Sequence, residues 1–321
     1  MARTTVGVLR GGTSAEFPLS LKSGAHVISA LSPEKYDVRD ILIDKEGVWH
    51  VRGMPVDGAR ALAQVDVVVN ALHGGVGEDG SVQRFLERSG VPYVGSRPHA
   101  AQQSLNKIVA REILQSAGLR TPLGQGFNLN DEHTTREMAR QMFEKIGPPY
   151  IVKPALGGGS HGVRYVSTAI ELPDAIGDTL DEYGSVVVEE FVSGEELAVG
   201  VVEGYRNEDV YVLPPALVKY PDDAFHLSHH HYGDGLRHIV PSPLSDELKV
   251  QLSELARTAH RALELSDFSR ADFILTRRGP VILEVDASPH IYEGSGFHHM
   301  LESVGSSLSH LLEHMIGRAR S

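Results

Sequence analysis

The sequence predicts a mixed α/β and α+β chain that opens with a parallel-sheet domain. Three observations carry this expectation. Strands alternate with helices through the first hundred residues, the run VDVVVNAL at 65–72 is mostly valine and leucine, and glycine-rich turns follow the first and third strands. Such alternation is the pattern of a mainly parallel sheet, and a continuous valine run suits a strand covered on both faces. Sites in sheets of this kind lie at the strand C-termini, where those turns fall.

TVGVL reads as the first strand, Gly11-Gly12-Thr13-Ser14 as a turn and LSLKSGAHVISAL as a helix. VRDILIDKEG is a second strand, leading through a loop and a short helix to VDVVVNAL. HGGVGEDG, the helical SVQRFLERSG and the strand VPYVGS follow. Leu105, Ile108, Val109, Ile113 and Leu114 recur at helical spacing over 99–117, with Gly118 as the C-terminal stop. A compact unit comes next: TPLGQGFNL, a helix near 133–146, the strand YIVKPAL, a glycine loop at 157–162, the strand HGVRYVS and a helix near 171–183. VVVEEFV starts a further apolar strand, which sets a boundary near Ser185. ELAVGVVEGY and DVYVLPPALV read as strands, 221–238 as a long aperiodic loop, 245–264 as a helix, RADFILTRRGPVILEVD as a hairpin, 288–296 as a loop and the remainder as a closing helix.

Composition narrows the function. The 321 residues hold 30 Lys+Arg against 42 Asp+Glu, a net charge of −12 that repels polyanions and makes nucleic acid a poor partner. There is no cysteine, which removes disulfides, thiolate catalysis and cysteine-held zinc or iron–sulfur clusters and fits a cytoplasmic protein. The start MARTTVGVLR is too short an apolar stretch for a signal peptide, and no apolar run reaches about 18 residues, so neither export nor a membrane span is expected.

Several constellations carry chemistry. Gly11-Gly12-Thr13-Ser14 could aim backbone N–H groups at an anion, or serve only to turn the chain; it is neither a phosphate-loop nor a dinucleotide fingerprint. Lys153-Pro154-Ala155-Leu156 leads into Gly157-Gly158-Gly159-Ser160-His161-Gly162. Three consecutive glycines cost conformational entropy, which a loop closing its amides over phosphates explains. Glu189-Glu190-Phe191-Val192 and Glu196 can offer backbone groups to an adenine edge and a carboxylate to a ribose. On the final hairpin, Asp272 faces Glu284 and Asp286, which are two apart and point the same way. Three unpaired carboxylates on apolar strands repel one another, and oxygen-only ligation fits magnesium held mainly through phosphates; pairing of one acid with Arg270 is the structural alternative. His229-His230-His231 reads as a surface element and His298-His299 as ambiguous, and no H-E-x-x-H or G-x-S-x-G motif occurs.

In their order, the segments GVLRGGTSAE, VVNALHGGVGEDGSVQRFLERSGVPYVGS, LNKIVAREILQSAGLRTP, YIVKPALGGGSHG, VVVEEFVSGEEL, SRADF and VILEVDASP resemble the D-alanine–D-alanine ligase family of ATP-grasp enzymes. The resemblance runs over nearly the full length. It implies a three-domain ATP-grasp fold with an N-terminal substrate domain at 1–104, a central subdomain at 105–185 and a catalytic domain at 186–321. ATP would lie between the latter two, with magnesium, or manganese in its place, as two ions. A cytoplasmic homodimer acting on small amino acids for peptidoglycan is implied. So are residue roles: Lys107, Lys153, Gly158, Gly159 and Ser160 toward phosphate; Glu189, Glu190, Val192 and Glu196 around adenine and ribose; Asp272, Glu284 and Asp286 on the metal. Glu16 would receive the first amino acid's ammonium, with His73 nearby, Arg270 would stabilise the transition state, Ser295 would meet the second carboxylate, and Ser160 and Tyr232 would assist.

Four positions depart from the family pattern. Asp286 replaces an asparagine, His290 a glycine and Gly159 the first serine of the loop, while the expected lysine–tyrosine pair matches His231-Tyr232 or, earlier, Lys219-Tyr220. Formation of D-alanyl-D-alanine through an acyl phosphate is the leading expectation. A different amino-acid or hydroxy-acid pair, or a noncatalytic ATP sensor, are the competing ones.

Overall fold

The computed structural model describes residues 3–220 and 236–321. Its first sheet is built from β1 (Thr4–Gly11), β2 (Tyr36–Ile43), β3 (Trp49–Val51), β4 (Met54–Val56), β5 (Val67–Asn70) and β6 (Tyr93–Val94), in the order β4-β3-β2-β1-β5-β6. α1 (Phe17–Ala30), α2 (Gly58–Leu62) and α3 (Ser81–Arg88) connect them. β1 runs parallel to β2 and β5, and β5 to β6, which is the expected parallel centre. The β3–β4 hairpin occupies what the sequence reads as loop. It turns at Arg52 and Gly53, both at positive φ, and Trp49 packs on Phe85 with ring centroids 5.3 Å apart.

The helical stretch expected over 99–117 is two helices, α4 (Pro98–Leu105) and α5 (Lys107–Ser116). Asn106 breaks it with an extended backbone, and its side chain then caps α5 by accepting hydrogen bonds from the amides of Ile108 and Val109 at 3.1 and 3.3 Å. The Lys107 amide donates to the Ala155 carbonyl at 2.8 Å, so the break fastens the start of α5 to the approach of the glycine loop.

The second sheet is antiparallel, in the order β7-β10-β8-β9: β7 (Gly124–Asn128), β8 (Tyr150–Pro154), β9 (Arg164–Val166) and β10 (Ser185–Glu190). α6 (Thr135–Lys145), opened by a Thr134–Glu137 capping box, and α7 (Leu172–Tyr183) cover it. Tyr150, Val152, Val186 and Val188 form its core with Met138, Met142, Leu172 and Ile176.

The third sheet comprises β11 (Glu195–Glu203), β12 (Val210–Val212), β13 (Ala216–Lys219), β14 (Arg237–Ile239), β15 (Phe268–Thr276) and β16 (Gly279–Asp286), with α8 (Asp246–Ala262) against it. The segment expected as one strand, DVYVLPPALV, is split into β12 and β13, which pair with different parts of β11. Pro214 and Pro215 lie between them, and neither has an N–H to continue a ladder. Ala110 and Leu114 of α5 share a core with Leu197, Phe273 and Leu252 of this sheet and its helix.

The closing helix is likewise two, α9 (Gly296–Ser303) and α10 (Leu308–Ala319), separated at Gly305 with φ 68°. α10 returns to the first sheet: Leu311, Leu312 and Met315 share a core with Val6, Val8 and Val67. Lys35 pairs with Glu313 at 2.9 Å, and Arg320 donates to Thr4 at 2.8 Å.

Candidate active site

A cavity of about 850 Å³ is lined by elements of the second and third sheets, with Lys22 of α1 added from the N-terminal part: the glycine loop after β8, the β10–β11 turn, the adjoining faces of β11, β15 and β16, His290 and residues 292–296. Of the residues expected in the site, Lys107, Lys153, Gly158, Gly159, Ser160, Glu189, Glu190, Val192, Glu196, Arg270, Asp272, Glu284, His290 and Ser295 line it. Among the described residues, Glu16, His73 and Asp286 are not in that lining. Tyr232 and the tract His229-His230-His231 lie outside the described residues.

The first glycine turn is used structurally. The Gly12 amide donates to the Ile43 carbonyl at 2.8 Å and the Gly11 amide to Ser20 Oγ at 2.7 Å, so neither is offered to an anion. A Cβ on Gly11 would lie 2.1 Å from the Ile43 carbonyl oxygen, which explains the residue. Ser14 Oγ donates to the His73 carbonyl at 2.5 Å and accepts from the Glu16 amide at 3.1 Å, which joins this turn to the loop after β5. Glu16 is buried and points at the second glycine loop: a Cβ on Gly158 would come within 3.3 Å of its Oε2.

Lys153 and Glu189 form a buried ion pair at 2.5 Å across the β8–β10 ladder region, with Arg111 3.9 Å from the other carboxylate oxygen. Burial lowers the Arg111 pKa, against the raising effect of Glu189 and Glu190. Lys107 Nζ donates to the Gly157 carbonyl at 2.5 Å and stands 3.8 Å from Glu284. This lysine therefore links the glycine loop to β16. Glu190 accepts from the Leu123 amide at 2.9 Å.

On the opposite wall, Asp272 pairs in register with Glu284 and Arg270 with Asp286. Phe273 pairs with Ile282, so a bulge at Leu283 shifts the ladder immediately beyond the acids. Arg270 donates to both oxygens of Asp272 at 2.9 Å and approaches Asp286 at 3.8 Å. Desolvation raises the Asp272 pKa despite that arginine, and it pushes Asp286 up to about 6. Glu284 is also desolvated, but Lys107, Lys153 and Arg270 together hold it below the ordinary carboxylate value. The oxygens of the three acids do not gather into a trio within 4.8 Å of one another; among the described residues only His298, His299 and Glu302 do so. The donor set nonetheless fits magnesium, a hard cation that takes one or two carboxylates and completes its shell with phosphate oxygens and water.

Glu196 shares the cavity face of β11 with Ala198, which pairs with Asp272. It accepts a 2.8 Å hydrogen bond from Tyr220, and desolvation pushes it up to about 7. Tyr220, which the sequence offers only as the earlier match for the lysine–tyrosine pair, thus lines the cavity. His73 and His290 are buried edge to face, centroids 4.3 Å apart, with His73 Nε2 2.7 Å from Ser23 Oγ. Burial, reinforced by His73, Arg270 and Lys22, holds His290 well below the usual imidazole value. Ser295 caps α9, its Oγ accepting from the His298 amide at 3.2 Å. Lys22 and Tyr292 were not signalled by sequence: the ammonium sits 3.9 Å from the ring centroid, and both line the cavity.

Comparison with known proteins gives this geometry a context. The family model described as D-ala D-ala ligase C-terminus matches residues 113–317, and that described as D-ala D-ala ligase N-terminus matches 5–56 and 52–96. A D-alanine--D-alanine ligase of Desulforudis audaxviator is 33% identical over 322 residues, covering 98% of each chain. The VanG D-Ala:D-Ser ligase of Enterococcus faecalis superposes with a TM-score of 0.86 at 25% identity, covering 99% of this chain and all of that one. The D-alanine--D-alanine ligase of Bacillus anthracis in complex with ATP gives 0.80 at 26% identity, covering 99% of this chain and 97% of that one.

Proposed function

Because the chain belongs to the D-alanine–D-alanine ligase family, we propose that it joins two D-alanines at the expense of ATP and that the cavity between the sheets is where it does so. One observation carries this reading. The lysine-led glycine loop and the carboxylates of β15 and β16 are walls of a single cavity, tied together by Lys107 between Gly157 and Glu284.

A carboxylate does not react with an amine until its oxygen becomes a good leaving group. The carboxylate of the first D-alanine attacks the γ-phosphorus of ATP, ADP leaves, and the acyl phosphate is then attacked by the amine of the second D-alanine, releasing phosphate. Glu16 receives the first ammonium group, with His73 nearby. Lys107, Lys153 and the loop of Gly158, Gly159 and Ser160 position the phosphates. Glu189, Glu190, Val192 and Glu196 form the adenine and ribose end. Asp272, Glu284 and Asp286 would hold magnesium, which neutralises phosphate charge when bound. Arg270 stabilises the tetrahedral intermediate, and Ser295 meets the acceptor carboxylate. Water must be kept from the acyl phosphate, and closure of the glycine loop serves that end. The division at 104/105 and 185/186, a homodimer and a cytoplasmic location belong to the same proposal. No helix among the described residues is long and apolar enough to cross a membrane.

A second reading changes the acceptor. His290 is a buried ring packed edge to face against His73 at the cavity wall, where the resemblance leads one to expect glycine. Such a ring narrows or re-polarises the acceptor space. Phosphate release with Mg-ATP is the test, first with D-alanine and then with other D-amino acids and D-hydroxy acids. D-Alanine-dependent release with dipeptide formation supports the first reading. Turnover only with another acceptor supports the second, and ATP binding without turnover on any of them defeats both.

A further inference from the structure

We propose that His298, His299 and Glu302 of α9 bind a transition-metal dication of the zinc class, at a site separate from the carboxylates of β15 and β16. The Nδ1 atoms of both histidines lie 3.5 Å from the same Glu302 Oε2, and the three ligand atoms all fall within 4.8 Å of one another. Ligands of a tetrahedral zinc at its usual bond lengths sit about 3.3–3.5 Å apart. Both histidine–glutamate separations already meet that spacing, and ring rotation is the adjustment that brings the imidazoles together.

The chemistry of the donors selects the ion. Two imidazole nitrogens and one carboxylate suit zinc, copper, nickel or cobalt, whereas magnesium prefers oxygen throughout. His298 Nδ1 is shielded from solvent and makes no hydrogen bond, so this nitrogen gains a partner when a metal binds. The His299 and Glu302 side chains are 40% and 55% exposed, which leaves an entry path and a fourth position for water.

The location gives the site a consequence. α9 is capped by Ser295 through the amide of His298 itself, and Gly294, Ser295 and Gly296 line the cavity. An ion spanning the turns of α9 clamps the helix that carries this wall.

The test is calorimetric titration of the full chain, free of nucleotide, with zinc chloride in about 10 mM magnesium to occupy oxygen-only sites. One zinc per chain is expected, with a dissociation constant of about 10 μM or tighter. His299→Ala and Glu302→Gln should each weaken binding at least about tenfold, while Asp272→Asn leaves it unchanged. Both α9 side chains are partly exposed, and thermal melts identify a variant that fails to fold, in which case the other decides. Cobalt(II) absorption is a second readout, with the visible bands of a four-coordinate nitrogen–oxygen site expected in the parent protein and absent from the variants. Absence of zinc binding at about 100 μM, equal affinity in both α9 variants, or loss of binding in Asp272→Asn would overturn the proposal.

Discussion

Arg270 clasps Asp272, two residues along the same strand, through a fork of two 2.9 Å hydrogen bonds from Nε to Oδ1 and from a terminal nitrogen to Oδ2. Such a fork is the strong, planar mode of arginine–carboxylate pairing. Even so, desolvation outweighs it and the Asp272 pKa is raised, so the ionised acid is costly to the fold. The charge is therefore better explained by what the site binds than by what the sheet needs.

Asp272→Asn keeps the shape and removes that charge. Turnover should fall about 100-fold or more while the melting temperature moves by no more than about 3 °C. Phosphate release and a thermal melt on the same preparation check this. Parallel losses of activity and folding would assign the pair to the sheet instead.

Asn106 joins helix capping to the proposed nucleotide site, because α5 begins at Lys107 directly after it. Asn106→Ala should cost about 1 kcal/mol of stability. It should also raise the KM for ATP more than that for the amino acid, since the lysine loses its fixed origin. Denaturant unfolding with two-substrate kinetics separates the effects; a KM change confined to the amino acid would contradict the assignment of Lys107.

The pH dependence of stability follows from Glu196, held at about 7 against an ordinary 4.5 chiefly by desolvation. Below pH 4.5 the carboxyl is protonated folded and unfolded, and no penalty arises. As pH rises toward 7 the unfolded chain ionises first, stability is lost progressively, and the penalty is constant above about 7. Glu196→Gln should therefore melt above the parent at about pH 8 and level with it near pH 4.5. Equal melting at both pH values would show that Glu196 is not desolvated as described.

His290→Gly removes the ring that packs edge-on against His73. The ratio of kcat/KM between D-alanine and a bulkier D-amino acid should shift about tenfold, with the KM for ATP unchanged. Competition kinetics across an acceptor panel reads this, and an unaltered ratio would exclude His290 from acceptor selection.

Local pattern made much of this legible and long-range geometry withheld the rest. The valines of β5 and β10, the glycines after β8 and the period-two spacing of Glu284 and Asp286 are local signals, and each gave the right element. The break at Asn106 was hidden because apolar spacing continues across it from Leu105 to Ile108. The bulge at Leu283 leaves the sequence alternation unchanged, since it is a property of pairing with β15. Pro214-Pro215 was a visible reason to divide a strand, as Gly305 was for the last helix, and both outranked apolar content. Lys22 against Tyr292 and Lys153 against Glu189 join residues far apart in the chain, where no local pattern points to a partner.

The central claim is that the donor carboxylate is activated as an acyl phosphate in the cavity shared by the glycine loop and the acidic strands. D-Alanine labelled with oxygen-18 in its carboxylate, supplied with Mg-ATP, tests it in a single mass measurement of the released phosphate. One labelled oxygen per phosphate, appearing together with the dipeptide, is the predicted result. Unlabelled phosphate would mean that water attacks ATP directly, and would contradict the account.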